Sequence, residues 1–255
     1  MEKQQTPDWF DQAQAIDAFT VDIGFVVSRA FYVGDENDAA QLVSDDPAIN
    51  VPLPEVSYAP IPKDSRGTVA RLADVATNPS ELTHYFKACL AVCQQYGKPP
   101  MLHHFWLRAA ICAGEACLVY FPWYDTYQEF RRWANAVLTS KEPQVFWDAD
   151  QGWELEVWQT DEHFYFRRGN LDDRDEKPDC YRFSKLALRE QVEGLINACV
   201  PVFKRISEET GLDFFEIEMS LVPLQAKVLQ SHRLREPERQ DDQPTKVRPW
   251  WKFWE

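Results

Sequence analysis

Trp153-Glu154-Leu155-Glu156-Val157-Trp158, followed across residues 159–162 by His163-Phe164-Tyr165-Phe166-Arg167-Arg168, is the stretch whose reading decides the fold. Each run alternates apolar and polar side chains with a period of two, the pattern of a half-buried strand. Two such runs joined by a short polar segment predict a β-hairpin. Any even-length turn puts Trp153, Leu155 and Val157 on one face with Phe164 and Phe166, and that face is the predicted core. The opposite face carries Glu154, Glu156 and Trp158 with His163, Tyr165 and Arg167, and is predicted to meet solvent.

Working outward toward the C-terminus, residues 170–179 read as a charged loop and 180–183 as a further strand. A helix is predicted over 185–209. Leu188, Val192, Leu195, Ile196, Cys199, Val202, Phe203 and Ile206 form its apolar stripe, Ser184 is its cap, and Pro201 predicts a kink. Working toward the N-terminus, a helix over 126–140 presents Phe130, Trp133, Ala134 and Val137, with Asp125 and Gln128 as a capping box. A third helix over 81–96 presents Leu82, Phe86, Cys89, Cys93 and Tyr96. Ser80 is its expected N-cap and Gly97 its left-handed terminator. Residues 101–107 read as strand or helix alike, and 116–121 as strand. The run 19–33 reads as one or two strands with a possible bulge at Gly24. Residues 35–63, with five prolines, read as an extended loop. A polar lead-in over 1–18 is expected to hold a short helix near 10–18. The fold class is therefore α+β: an antiparallel or mixed sheet covered by amphipathic helices. Residues 1–235 form one domain in this reading. Residues 236–255 form a flexible linker and an aromatic tail with Trp250, Trp251 and Trp254.

The chemistry-bearing motifs are few. The nine glycines are scattered singly, with no phosphate loop, dinucleotide fingerprint or nucleophile elbow. The six cysteines lack the paired spacing of a structural zinc site and read as buried, reduced thiols of a cytoplasmic protein. His103-His104 diverge whether the segment is strand or helix. No metal and no cofactor is expected. There is neither a run of ~20 apolar residues to cross a membrane nor the apolar core of a signal peptide.

Charge says more. The net charge of −14 opposes binding to nucleic acid or to anionic membranes. Between Lys141 and Arg167 there is no Lys or Arg, and there are seven acids: Glu142, Asp148, Asp150, Glu154, Glu156, Asp161 and Glu162. The same window holds Phe146, Trp147, Trp153 and Trp158. Acids that steer a basic partner and aromatics that anchor it predict a protein-binding surface. The ordinary alternative is an acidic rim around core aromatics. The partner-binding candidates are Asp148, Asp150, Glu154, Glu156, Trp158, Asp161 and Glu162, with Trp250, Trp251 and Trp254 of the tail. Two other classes remain open. One is a hydrolase using Glu154 or Glu156 with His163; the other is a scaffold or adaptor that uses the tail.

The stretch 152–206 resembles small bacterial immunity proteins encoded beside the secreted toxins of type VI and related systems. Gly152-Trp153-Glu154-Leu155-Glu156-Val157-Trp158, His163-Phe164-Tyr165-Phe166, Cys180-Tyr181-Arg182-Phe183 and the long helix carry the resemblance, about a fifth of the chain. It implies an acidic, non-enzymatic α+β protein, often dimeric, that binds and neutralises a cognate toxin. It carries over no site residue.

Overall fold

The computed structural model describes residues 7–34, 49–58, 68–98, 106–121, 127–150, 153–170 and 176–213, with backbone only for Thr68 and Asp150. In chain order, a 3-10 helix (Asp8–Gln12) leads to strands β1 (Gln14–Ile16), β2 (Thr20–Val27), β3 (Ala30–Tyr32), β4 (Asn50–Pro52) and β5 (Thr68–Arg71). Helices α1 (Leu72–Thr77) and α2 (Pro79–Gln95), strands β6 (Leu107–Ala113) and β7 (Ala116–Tyr120), and helix α3 (Tyr127–Thr139) follow. The chain then makes β8 (Gln144–Asp150), β9 (Trp153–Gln159), β10 (His163–Asn170), β11 (Asp179–Ser184) and α4 (Lys185–Thr210).

The fold is α+β, with two principal sheets rather than one. The five-stranded sheet has the order β1-β11-β10-β9-β8, antiparallel except for the parallel pair β1–β11. The four-stranded sheet, β5-β2-β6-β7, is antiparallel throughout, and β3 and β4 form a small separate ribbon. The decisive hairpin has the expected register. A two-residue turn, Asp161-Glu162, sets Val157 opposite Phe166 and Glu156 opposite Arg167. Leu155, Val157, Phe164 and Phe166 are fully buried on one face, as the alternation requires.

One core serves both sheets, and α4 is what joins them. Its stripe of Leu188, Val192, Leu195, Cys199, Val202, Phe203 and Ile206 is buried, while Ile196 is only partly so. The Phe203 ring packs edge-on to Phe25 of β2 and to Tyr127 of α3, with centroids 5.5 and 5.0 Å apart. Phe19, just before β2, packs edge-on to Phe183 of β11 at 4.9 Å. Gln191 of α4 adds a polar clip: its Oε1 accepts from the Val21 amide and its Nε2 donates to the Phe19 carbonyl, both at 2.8 Å. The side-chain amide thus completes the backbone pairing of β2 as a neighbouring strand would. Replacing Gln191 with Leu leaves a partly buried donor and acceptor without partners, at a cost of 1–3 kcal/mol for a buried group. We expect Gln191→Leu to lose about 2 kcal/mol in urea unfolding, and a loss under about 0.5 kcal/mol would show that the clip is dispensable.

Several sequence expectations need correction. The N-terminal segment holds a 3-10 turn and a three-residue strand instead of a helix over 10–18. Trp9 and Phe10 there pack onto the five-stranded sheet, and Phe10 stacks on Tyr165 at 3.8 Å between centroids. Gly24 sits in unbroken register between Arg71 and Arg108, so it is no bulge. The register shifts lie between Ile111 and Cys112 and between Gln144 and Phe146. The 35–63 segment contains β4, with Pro52 on a ribbon edge where its missing N–H costs nothing. Ser80 lies inside α2, whose first residue is Pro79 and whose N-cap position is Asn78. Proline is at home there because the first helical N–H has no partner to lose. Gly97 does take the left-handed conformation, at φ +63°. The α3 stripe Phe130, Trp133, Ala134 and Val137 is fully buried, and Ser184 caps α4 by accepting from the Ala187 amide. Pro201 lies within the span of α4, where it has no N–H to donate to the preceding turn. The capping residue Asp125, the 101–105 segment with His103 and His104, and the aromatic tail lie outside the described residues.

Candidate functional site

The face of the five-stranded sheet turned away from α4 is where the sequence places its acids and aromatics. Alternation sends Glu154, Glu156 and Trp158 of β9 to this face, beside Tyr165 and Arg167 of β10. The adjoining register brings Trp147 of β8 opposite Glu156. Trp147 is 57% exposed, the most exposed of the large aromatics among the described residues.

The carboxylates on this face are not free. Arg167 Nη1 donates to Glu154 Oε2 at 3.2 Å and to Glu156 Oε2 at 3.3 Å. Trp147 Nε1 donates to Glu154 Oε1 at 3.2 Å, and Trp158 Nε1 to Glu156 Oε1 at 2.7 Å. Gln144 Nε2 adds a donor to the same Glu156 oxygen at 3.3 Å. The side chains of Glu154 and Glu156 are only 15% and 16% exposed. One guanidinium against two carboxylates leaves this group with a charge of −1 (−2 + 1). Asp148 is neutralised from the other side by Arg132 of α3, whose Nη2 donates to Oδ2 at 2.7 Å. The base-free window of the sequence is thus supplied with arginines from outside it. Arg167 falls just past its end and Arg132 just before its start.

The other candidates lie elsewhere. Asp150 closes β8 opposite Trp153. Asp161 and Glu162 form the turn between β9 and β10, and the Glu162 carboxylate is largely exposed, 4.0 Å from His163 Nδ1. Asp161 lines a cavity of about 490 Å³ with Lys141, Pro143, Lys185 and Arg189. Two of those cations already cap backbone carbonyls: Lys185 Nζ donates to Thr160 and Arg189 Nε to Val137. Desolvation, and then the neighbouring Arg189, push the Lys185 ammonium below its usual range, while Asp161 opposes them. Trp158 is half-buried, meeting Phe10 edge-on at 6.3 Å, so the expectation of a solvent-facing Trp158 and Tyr165 is corrected. The N-terminal turn covers that end of the face. Trp250, Trp251 and Trp254 are outside the described residues.

Sequence reading named Trp147 among the window's aromatics and put Arg167 on this face, but included neither among the partner-binding candidates and gave no pairing between them and the glutamates. Trp147 needed β8 to be seen as a strand, and Arg167 needed the cross-strand register to be known. The acid–base grouping of Glu154 or Glu156 with His163 is not assembled. Each glutamate is held at Arg167, four residues along β10 from His163, or roughly 13 Å at strand spacing. Among the described residues, no group of three or more His, Cys, Asp or Glu side chains is placed to hold a metal ion. No helix there is long and apolar enough to cross a membrane.

The charge network makes its own prediction. Arg167→Leu leaves two partly buried carboxylates side by side with no cation, and removing one member of such a group costs a few kcal/mol, less where solvent reaches it. We expect a loss of about 2 kcal/mol, at least half of it recovered by adding Glu156→Gln. A double variant no more stable than the single one would show that packing, and not charge, is lost. Comparison of the chain with family models, with curated proteins and with solved structures finds no match.

Proposed function

We propose that this protein is a binding protein of the immunity class, acting in the cytoplasm to neutralise a cognate secreted toxin. The observation that carries this reading is Trp147, a largely exposed indole on a sheet face whose polar neighbours are already hydrogen-bonded to one another. A tryptophan held on a strand loses little freedom on docking and brings a large contact area, as interface anchors do. The neighbouring Glu154, Glu156 and Arg167 are fixed in place, so a partner meets a preorganised polar surround. The net charge of −14 steers a basic partner toward the chain before contact.

The test is calorimetry against the products of the neighbouring genes, together with survival of cells that express those products with and without this protein. Binding and rescue support the proposal; products that neither bind the protein nor poison cells lacking it remove it. Trp147→Ala is expected to weaken binding by about 30-fold or more, the ~2 kcal/mol of an interface anchor, with unfolding changed by only about 1 kcal/mol through the lost hydrogen bond to Glu154.

A further inference from the structure

Cys112 and Cys117 face each other across the β6–β7 hairpin, as direct register partners one step from its turn. The turn is Gly114-Glu115, closed by Ala113 opposite Ala116. Gly114 adopts φ +59°, the left-handed conformation that two-residue hairpin turns need and side chains resist. When a two-residue turn is closed by a hydrogen-bonded pair, the next pair is a non-hydrogen-bonded one, with Cα atoms ~4.5 Å apart and side chains close together. That spacing falls inside the ~4.4–6.8 Å range of disulfides. Of the six cysteines, Cys89 and Cys93 instead follow each other along α2, and Cys180 and Cys199 belong to different elements.

We propose that Cys112 and Cys117 are a peroxide-oxidisable pair that closes to an intramolecular disulfide. The surroundings assign the roles. The neighbouring Cys117 thiol lowers the pKa of Cys112, and the nearby Arg71 guanidinium assists, against burial and the Asp22 carboxylate. Cys112 is therefore the nucleophile. Its thiolate attacks one peroxide oxygen, the O–O bond breaks, and the sulfur becomes a sulfenic acid as hydroxide leaves and takes up the thiol proton as water. The Cys117 sulfur then attacks the sulfenic sulfur, the S–O bond breaks and a second water leaves. The balance is two thiols and one hydrogen peroxide to one disulfide and two waters. Both thiols are buried, but the turn residues beside them, Gly114 to Ala116, are exposed. Fraying of this hairpin end admits a molecule as small as hydrogen peroxide, because turn-proximal pairs open at far lower cost than the whole fold.

The experiment treats the full chain with hydrogen peroxide, removes it with catalase, and alkylates all remaining thiols in denaturant before peptide mass mapping. The expected result is protection of two of the six cysteines, recovery of a peptide linked between residues 112 and 117, and full reversal by dithiothreitol. Six alkylated cysteines after treatment, or a linked pair other than these two, overturns the proposal. Cys117→Ser separates the steps, since it leaves Cys112 as a sulfenic acid without a resolving thiol. Trapping by dimedone at residue 112 supports the assigned roles, and trapping only at Cys180 overturns them.

Discussion

Trp133→Ala is expected to cost about 4 kcal/mol, enough to unfold a marginally stable domain at moderate temperature. Trp133 is fully buried on α3, with the Phe121 ring 5.0 Å away and the Phe130 ring 5.8 Å away. Truncation removes its transfer energy and leaves a cavity walled by rings that cannot all collapse inward. The indole N–H finds no hydrogen-bond partner among the described residues, which weakens the native state at this site. Trp133→Phe removes that unpaired donor along with some volume, so its loss is expected to be smaller, about 1–2 kcal/mol. Urea midpoints of the two variants check both numbers. A Trp133→Phe loss as large as that of Trp133→Ala would show that the indole N–H makes a bond worth more than the ring volume that Phe retains.

Arg71→Met is expected to cost about 3 kcal/mol at neutral pH through the charge it leaves behind. Asp22 lies in the middle of β2 with a side chain only 9% exposed, and Arg71 Nε donates to its Oδ2 at 2.7 Å. Burial pushes the Asp22 carboxyl above its ordinary value, and Arg71 and the Ile23 amide pull it back only in part. Without Arg71 it rises further. A carboxyl whose folded pKa is raised binds its proton more tightly in the folded state than in the unfolded one. Stability is therefore greatest below the unfolded value of 3.8 and is lost as pH rises through the folded value. The gap between Arg71→Met and the native protein should thus narrow as pH falls from 7 toward 4. A gap that stays constant over that range would mean that Arg71 acts by packing and not by charge.

Local pattern carried into the structure wherever periodicity was unbroken. The buried face of the 153–168 hairpin, the stripes of α3 and α4, the stripe of α2 except for Tyr96, which is exposed just past the helix end, and the Ser184 cap were legible because each is a local consequence of side-chain spacing. Strand β8 was not, and the reason is visible in it. A register shift between Gln144 and Phe146 leaves Val145 and Phe146 both buried, so its alternation fails where a reader would look for it. Strand β1 is three residues long and pairs in parallel with β11, about 165 residues away, which no local signal reports. The candidate surface was legible in composition and not in charge. Of the seven acids that stand without a Lys or Arg in sequence, Asp148, Glu154 and Glu156 are tied in space to Arg132 and Arg167. Sequence order shows how many charges a surface has, whereas pairing depends on which strand and helix lie next to each other.

The Gln191 clip also orders events in time. It joins residues 170 and 172 positions apart, and β1 waits on β11 over a similar span. At ~5–20 residues per second, a ribosome needs roughly 10–30 s after making β2 to deliver the helix that completes its pairing. Throughout that interval the apolar strands Thr20–Val27 and Leu107–Ala113 exist without α4, the element that joins the two sheets over one core. The core closes only after α4 has been made, and non-local closure of this kind is slow. Nascent chains stopped before residue 185 are therefore the form of this protein most exposed to chaperones and to aggregation.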